Sequence, residues 1–219
     1  MTGLLKAWSY SRWSTYDTCP AQAKFKYVDK IPEEENDAMR GGKEAHDEIA
    51  EYMRGDNPGP VRGWEHFADL FKQLRELEPL VEQQWGFRSN WTPTGWFAKD
   101  TWFRSVLDAA IVYPDFTADV VDYKTGKDSP KHAQQAELYA ISIFLRYPQV
   151  QQVVTRFWYL DSGGESVFRF ARADADGIIE RWTKRAEKML NDARLAPRPG
   201  HHCNWCPFAK SKGGVCKYG

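Results

Sequence analysis

Two apolar runs, Ser105–Val112 and Ala118–Lys124, are joined by a turn centred on Asp115, and each places one aspartate among aliphatic side chains. Asp108 sits with Val106, Leu107, Ala109 and Ala110, and Asp122 with Val120 and Val121. A hairpin turning at Tyr113-Pro114-Asp115 puts Asp108 opposite Asp122 on one face, with side chains roughly 5 Å apart. Two carboxylates at that separation repel unless a proton or a cation lies between them. Lys124, two residues beyond Asp122, falls on the same face by strand alternation. Two acids and a lysine on one patch of sheet therefore constrain both the fold and the chemistry.

Phosphodiester hydrolysis suits such a patch. Carboxylate oxygens hold Mg²⁺ or Mn²⁺, the ion activates water and offsets charge at phosphorus, and a neighbouring lysine orients the water or neutralises the transition state. The alternative is a structural Asp122–Lys124 pair with Asp108 incidental. His46 lies on the apolar stripe of an upstream helix, where a histidine alone reads as a core residue; as a ligand it suits Mn²⁺ better than Mg²⁺. Gly42, one turn earlier, lets that helix approach the sheet closely.

The surrounding pattern is mixed. A short helical stretch follows Cys19-Pro20 through Tyr27. Glu33–Asp37 reads as a solvated acidic turn, and apolar residues at 38, 42, 45, 49 and 53 give helical spacing. Gly55–Pro60 breaks that helix, and a second helix covers Trp64 to Leu77. Strands are predicted at Leu80–Phe87, Trp102–Val112 and Thr117–Lys124. Ser129-Pro130 opens a helix to about Arg146, with a capping hydroxyl and proline at its first position. Val150–Leu160 and Glu165–Phe170 form a hairpin around Asp161–Gly164. Asp174 caps a last helix reaching about Arg194, and the tail beyond has little regular structure. Residues 1–219 read as one α/β domain.

Charge and cysteine content limit the function classes. With 30 basic and 30 acidic residues the net charge is zero, so a nucleic-acid partner has to be argued from a local surface. Ten tryptophans are read as core and aromatic clusters rather than as stacking platforms. No apolar run approaches a membrane span, and the start at Met1–Lys6 is too short and polar for a secretory signal; a cytoplasmic protein with no membrane partner is expected. In a reducing compartment, Cys19, Cys203, Cys206 and Cys216 point to a metal or cluster site rather than disulfides. Four thiolates from the two chain ends would staple the N-terminal segment to the tail. Cys₄ suits Zn²⁺ or an iron–sulfur cluster, with His201 and His202 as possible substitute ligands. Lys210, Lys212 and Lys217 around them read as phosphate contacts or as an ordinary solvated face.

Taken in order, Gly42-x-x-x-His46, Asp108, Asp122-Tyr123-Lys124-Thr125-Gly126 and Gln135-x-x-x-Tyr139 resemble the motifs of RecB-like nucleases of the PD-(D/E)XK superfamily. Cys19 with Cys203-x-x-Cys206 and Cys216 resembles the iron–sulfur variety, which includes the CRISPR-associated four-cysteine exonucleases and the nuclease domain of the AddB helicase–nuclease subunit. The likeness runs from Cys19 to Cys216. It implies a restriction-endonuclease-like fold, a mixed central sheet flanked by helices, and a metal held by His46, Asp108, Asp122 and the Tyr123 carbonyl. Lys124 would be catalytic, with Gln135 and Tyr139 facing the site and the DNA. Glu82 reads as an accessory acid or, equally, as solvated strand charge.

The implied activity is a Mn²⁺- or Mg²⁺-dependent DNA exonuclease acting at single-stranded ends, with a structural [4Fe–4S] cluster. Its setting would be DNA repair or recombination in a bacterial, archaeal or phage-infected cell, with a helicase, recombinase or CRISPR adaptation protein as partner. A non-catalytic DNA-binding or helicase-partner module, and an endonuclease on the same fold, are the alternatives. Two departures stand out: Leu107 occupies the place of the motif proline, and nine residues separate Cys206 from Cys216.

Overall fold

In a computed structural model, which describes residues 4–33, 36–57, 59, 61 and 63–219, the two aspartate-bearing runs form the middle of the sheet. They are β3 (Phe103–Val112) and β4 (Thr117–Lys124), antiparallel, with Ala109 opposite Val121 and Val112 opposite Ala118. The register is the one centred on the turn. The ladder stops at Ala109 and Val121, one step before the aspartates. Instead of continuing it, Asp108 Oδ2 accepts the Tyr123 backbone N–H at 3.0 Å. The strands thus part at the acidic pair.

Six strands lie in the order β2-β1-β3-β4-β5-β6, where β1 is Leu80–Phe87, β2 Pro93–Thr94, β5 Gln152–Tyr159 and β6 Gly164–Ala171. Every neighbouring pair is antiparallel except β4 and β5. A parallel pair cannot be closed by a tight turn and needs a crossover. Helix α5 (Lys131–Arg146) provides it. The mixed sheet flanked by helices is the restriction-endonuclease-like architecture expected from the sequence.

Two apolar clusters cover the sheet. The larger joins α5 and α6 (Ala175–Leu190) to Ala118, Val120 and Phe157. The smaller joins α3 (Asp37–Arg54) and α4 (Ala68–Glu76) to Val121, Tyr123 and Trp158. Most tryptophans are structural, as expected. Trp8 packs on Trp91, Trp102 and Trp182 with ring centres 5.3–6.1 Å apart, and its backbone N–H donates to the Trp102 carbonyl. Trp205 is the exception, 64% exposed.

Several expectations need correction. The short helical stretch expected through Tyr27 is present as α2 (Pro20–Ala23) followed by a π-helical turn over Lys24–Val28, but a further helix, α1 (Tyr10–Thr18), precedes Cys19 and was not expected. The Tyr10–Thr18 stretch has no aliphatic stripe; its buried face is aromatic, Trp13 and Tyr16 with Tyr10 beside them, and Ser9 caps it by accepting from the Arg12 N–H. Pro130 stands at the cap of α5 rather than inside it, with Ser129 Oγ accepting from the Lys131 N–H. Asp174 stands at the N-cap of α6 as expected, but its carboxylate does not cap the helix, because a 3₁₀ turn over Arg172–Asp174 precedes it and directs that carboxylate back to the Ala171 N–H. Helix α6 ends at Leu190, and Asp192 turns the chain by accepting from the Arg194 and Leu195 N–H groups. Of the predicted acidic turn, Glu34 and Glu35 lie outside the described residues, as do Pro58 and Pro60 of the breaker and Met1–Gly3. No helix among the described residues is long and apolar enough to cross a membrane.

Candidate metal centre and its cleft

Where β3 and β4 separate, side chains from four elements converge. Asp122 on β4 is 1% exposed, and Lys124 Nζ lies 2.5 Å from its Oδ2. On the crossover helix, one turn apart, Gln135 and Tyr139 both donate to Asp122 Oδ1, the amide at 3.3 Å. Gln135 also donates to the Tyr139 hydroxyl at 2.6 Å. From α3, His46 Nδ1 comes within 3.3 Å of Asp108 Oδ2. A Cβ on Gly42 would meet Thr125 Oγ1 at 3.3 Å, so the absence of a side chain there lets α3 come close to the segment after β4. The expected residues His46, Asp108, Asp122, Lys124, Gln135 and Tyr139 all line one cleft of about 480 Å³. Tyr123 differs: its ring is buried among Phe71, Trp158 and His46, and its backbone N–H is committed to Asp108.

Glu82 proves to be part of this group. The pairs Val81–Ala109 and Gln83–Leu107 flank it, which sets it opposite Asp108. Ligand atoms of His46, Glu82 and Asp108 all lie within 4.8 Å of one another. Its φ of 50° is uncommon for a side chain of this size and departs from strand geometry. An acid in a strand of Leu80–Phe87 was the only sequence signal for it.

The electrostatics are those of a site with an excess of negative charge. Burial pushes the Asp122 carboxyl up against the opposing pull of Lys124, and Asp108 pushes it further. Burial also lifts Glu82, helped by Asp108. Burial would lower His46, but the hydrogen bond and charge of Asp108 carry it up to about 9. Lys124 likewise resists its burial and is raised by Asp122 and Asp108. Three carboxylates thus share one lysine and one imidazole. Asp122 Oδ2 has no hydrogen bond of good geometry among the described residues, only the Lys124 ammonium. Oxygen donors, an imidazole and surplus anionic charge fit a divalent cation.

The four cysteines line a second, separate cavity together with Ala21, Phe25 and His202. Cys19 Sγ accepts from the Arg198 N–H at 3.4 Å, which draws the tail to the N-terminal segment. Burial raises the Cys206 thiol, and Cys19, Cys216 and Cys203 add to the effect. The sulfurs are nevertheless not drawn into a compact group: no three lie within 4.8 Å of one another among the described residues. Tetrahedral zinc, with bonds of about 2.3 Å, would need them closer. His202 Nε2 is buried without a hydrogen-bond partner. Lys210, Lys212 and Lys217 are exposed.

A family model described as the PD-(D/E)XK nuclease superfamily matches residues 7–112 and 101–211. The chain belongs to that superfamily of divalent-metal-dependent nucleases. Among solved structures it is similar to SSO0001, at 14% identity and a TM-score of 0.53, over 97% of this chain and 87% of that one. It is also similar to a candidate exonuclease from Eubacterium rectale, at 11% identity and a TM-score of 0.54, over 98% and 90% of the two chains. At such identities the likeness is one of fold. No curated protein matches the sequence.

Proposed function

We propose that the protein is a Mn²⁺- or Mg²⁺-dependent DNA exonuclease that works at single-stranded ends, with its chemistry at the parting of β3 and β4. The observation that carries this reading is the convergence of His46, Asp108, Asp122 and Lys124 in a single cleft. His46, Asp108, Asp122 and the Tyr123 carbonyl would hold the ion, with Glu82 beside them. When bound, a divalent ion supplies an activated water and neutralises charge developing on the phosphoryl group.

The protein's own side chains do the positioning. Gln135 and Tyr139 hold one oxygen of Asp122, leaving its other oxygen directed to Lys124. The Lys124 ammonium, kept protonated by two carboxylates, offsets negative charge at the scissile phosphate and orients the attacking water by donating to it. The four cysteines would carry a [4Fe–4S] cluster that braces the N-terminal segment against the tail. Their shared lining of one cavity supports this.

The test is degradation of end-labelled single-stranded DNA with Mn²⁺ by protein purified without oxygen, comparing wild type with Lys124→Ala. Release of label by the wild type, with the variant slower by at least about 10²-fold, is expected; labelling each end in turn gives the polarity. Equal rates for the two proteins would remove Lys124 from the mechanism. No cleavage by either would favour a DNA-binding module without activity.

A further inference from the structure

The cleft that holds the acidic centre has a stretch of wall of different character, lined by Arg12 and Arg104 with Tyr27 and Trp96. Arg12 belongs to the first turn of α1 and Arg104 to the start of β3. Both are partly buried, and neither makes an ion pair with a carboxylate among the described residues. Such cations usually find an acid.

What they have instead are aromatic rings and carbonyls. The Arg12 guanidinium lies 4.7 Å from the centre of the Tyr27 ring and donates to the Ala7 carbonyl. Arg104 lies 5.3 Å from the centre of the Trp96 ring and donates through Nε to the Trp96 carbonyl at 3.1 Å. These contacts fix the two forks without neutralising them. Burial pushes the Arg12 guanidinium down, and the charge of Arg104 pushes the same way. Two like charges in one cleft repel unless an anion joins them. The N-terminus of α1 adds its positive end to the same wall, where Ser9, Tyr10 and Ser11 also line the cleft.

We propose that Arg12 and Arg104 form a seat for a backbone phosphate next to the scissile one, so that the substrate is recognised as a polynucleotide strand rather than as a terminal nucleotide. The proposal rests on the nuclease reading for the direction of the strand, which runs from the basic wall to the acidic centre. The seat itself follows from the unpaired arginines. A guanidinium fork matches two phosphate oxygens at once, and the held rings mean that little side-chain freedom is lost on binding.

Binding is measured apart from cleavage, with Ca²⁺ in place of Mn²⁺ and a fluorescein-labelled oligothymidylate of about twelve nucleotides as probe. Arg12→Gln and Arg104→Gln should each weaken binding about tenfold. Each should also lower the slope of log affinity against log salt by about 0.7, the value of one phosphate contact on a single strand. Arg104→Lys, which keeps the charge, should restore the slope. Thermal melts of all variants report folding. Unchanged affinity and salt slope in both glutamine variants, or no binding of the oligonucleotide by the wild type, would overturn the seat. Arginine-dependent binding by a wild type that fails to cleave with Mn²⁺ would leave the seat standing and remove the nuclease reading instead.

Discussion

The carboxylate centre and the cysteine corner are both clusters of potential ligands, but the chain assembles them by opposite routes. Asp108 and Asp122 come from consecutive strands whose register is set by a short turn and a ladder that runs up to the residues beside them, Ala109 and Val121. The strand register, together with the Tyr123 N–H held by Asp108, therefore brings them together before any ion is considered. The cysteines come from residues 19 and 203–216, on a helix end and in a tail of 3₁₀ turns. Within the tail a single bridge, Ala209 to Cys216, and turn hydrogen bonds place three of them, but among the described residues no strand ladder ties them to Cys19, and the four share a cavity without closing into a compact group. A site on paired strands is preorganised by the fold; a site joining the chain ends needs its ligand to finish the geometry.

The sharpest way to break this contrast is Asp122→Asn. It removes the charge that pairs with Lys124 and that a divalent ion would meet, while the amide oxygen can still accept from Gln135 and Tyr139. Cleavage should fall by about a thousandfold, and calorimetric Mn²⁺ binding should weaken sharply, while near-ultraviolet dichroism keeps the wild-type signature. A Mn²⁺ isotherm like that of the wild type would place the ion elsewhere.

Cys203→Ala probes the other region. If a cluster completes the corner, the variant should lose the brown colour and solubility. It should also lose stability on the order of 3 kcal/mol, the scale of a lost cross-link between distant parts of a chain. Cleavage per folded molecule should be nearly preserved. A colourless wild type carrying zinc would overturn the iron assignment. The smallest effect is expected for Asn36→Ala, whose side chain caps α3 by accepting from the Met39 N–H at 2.9 Å. About 1 kcal/mol of stability should be lost, read as a lower denaturation midpoint. Cleavage should change little, because His46 lies more than two turns further along the helix.

The same contrast explains what could be read from the sequence. Strand boundaries at Leu80–Phe87 and Thr117–Lys124 and the facing of Asp108 and Asp122 follow from alternation and one turn, so they were legible. The break of the ladder at Ala109 and Val121 was not, because it depends on Asp108 capturing the Tyr123 N–H. Helix α1 was missed because its buried face is three aromatics, Tyr10, Trp13 and Tyr16, without an aliphatic stripe, although Ser9 offered a capping signal. The two-residue strand β2 is too short to leave a pattern. Arg12 and Arg104 meet only through tertiary packing, with Trp8 laid beside the start of β3, and no spacing in the chain announces them.

The parallel pairing of β4 with β5 bears on which changes of chain length this protein can absorb. Helix α5 is the obligatory link between those strands, and it also presents Gln135 and Tyr139 to Asp122. Its far half is locked by Ile141, Ile143 and Phe144 in the larger apolar cluster. One residue inserted between Tyr139 and Phe144 would turn one half against the other by about 100°, so that only one half could keep its seat. An extra residue in the 125–130 connection would leave that phase unchanged and be taken up between Thr125, which packs near Gly42, and Asp128, which accepts from Tyr159. The crossover therefore behaves like a key cut to a fixed angular phase, with its freedom to vary confined to the loop that hands it on.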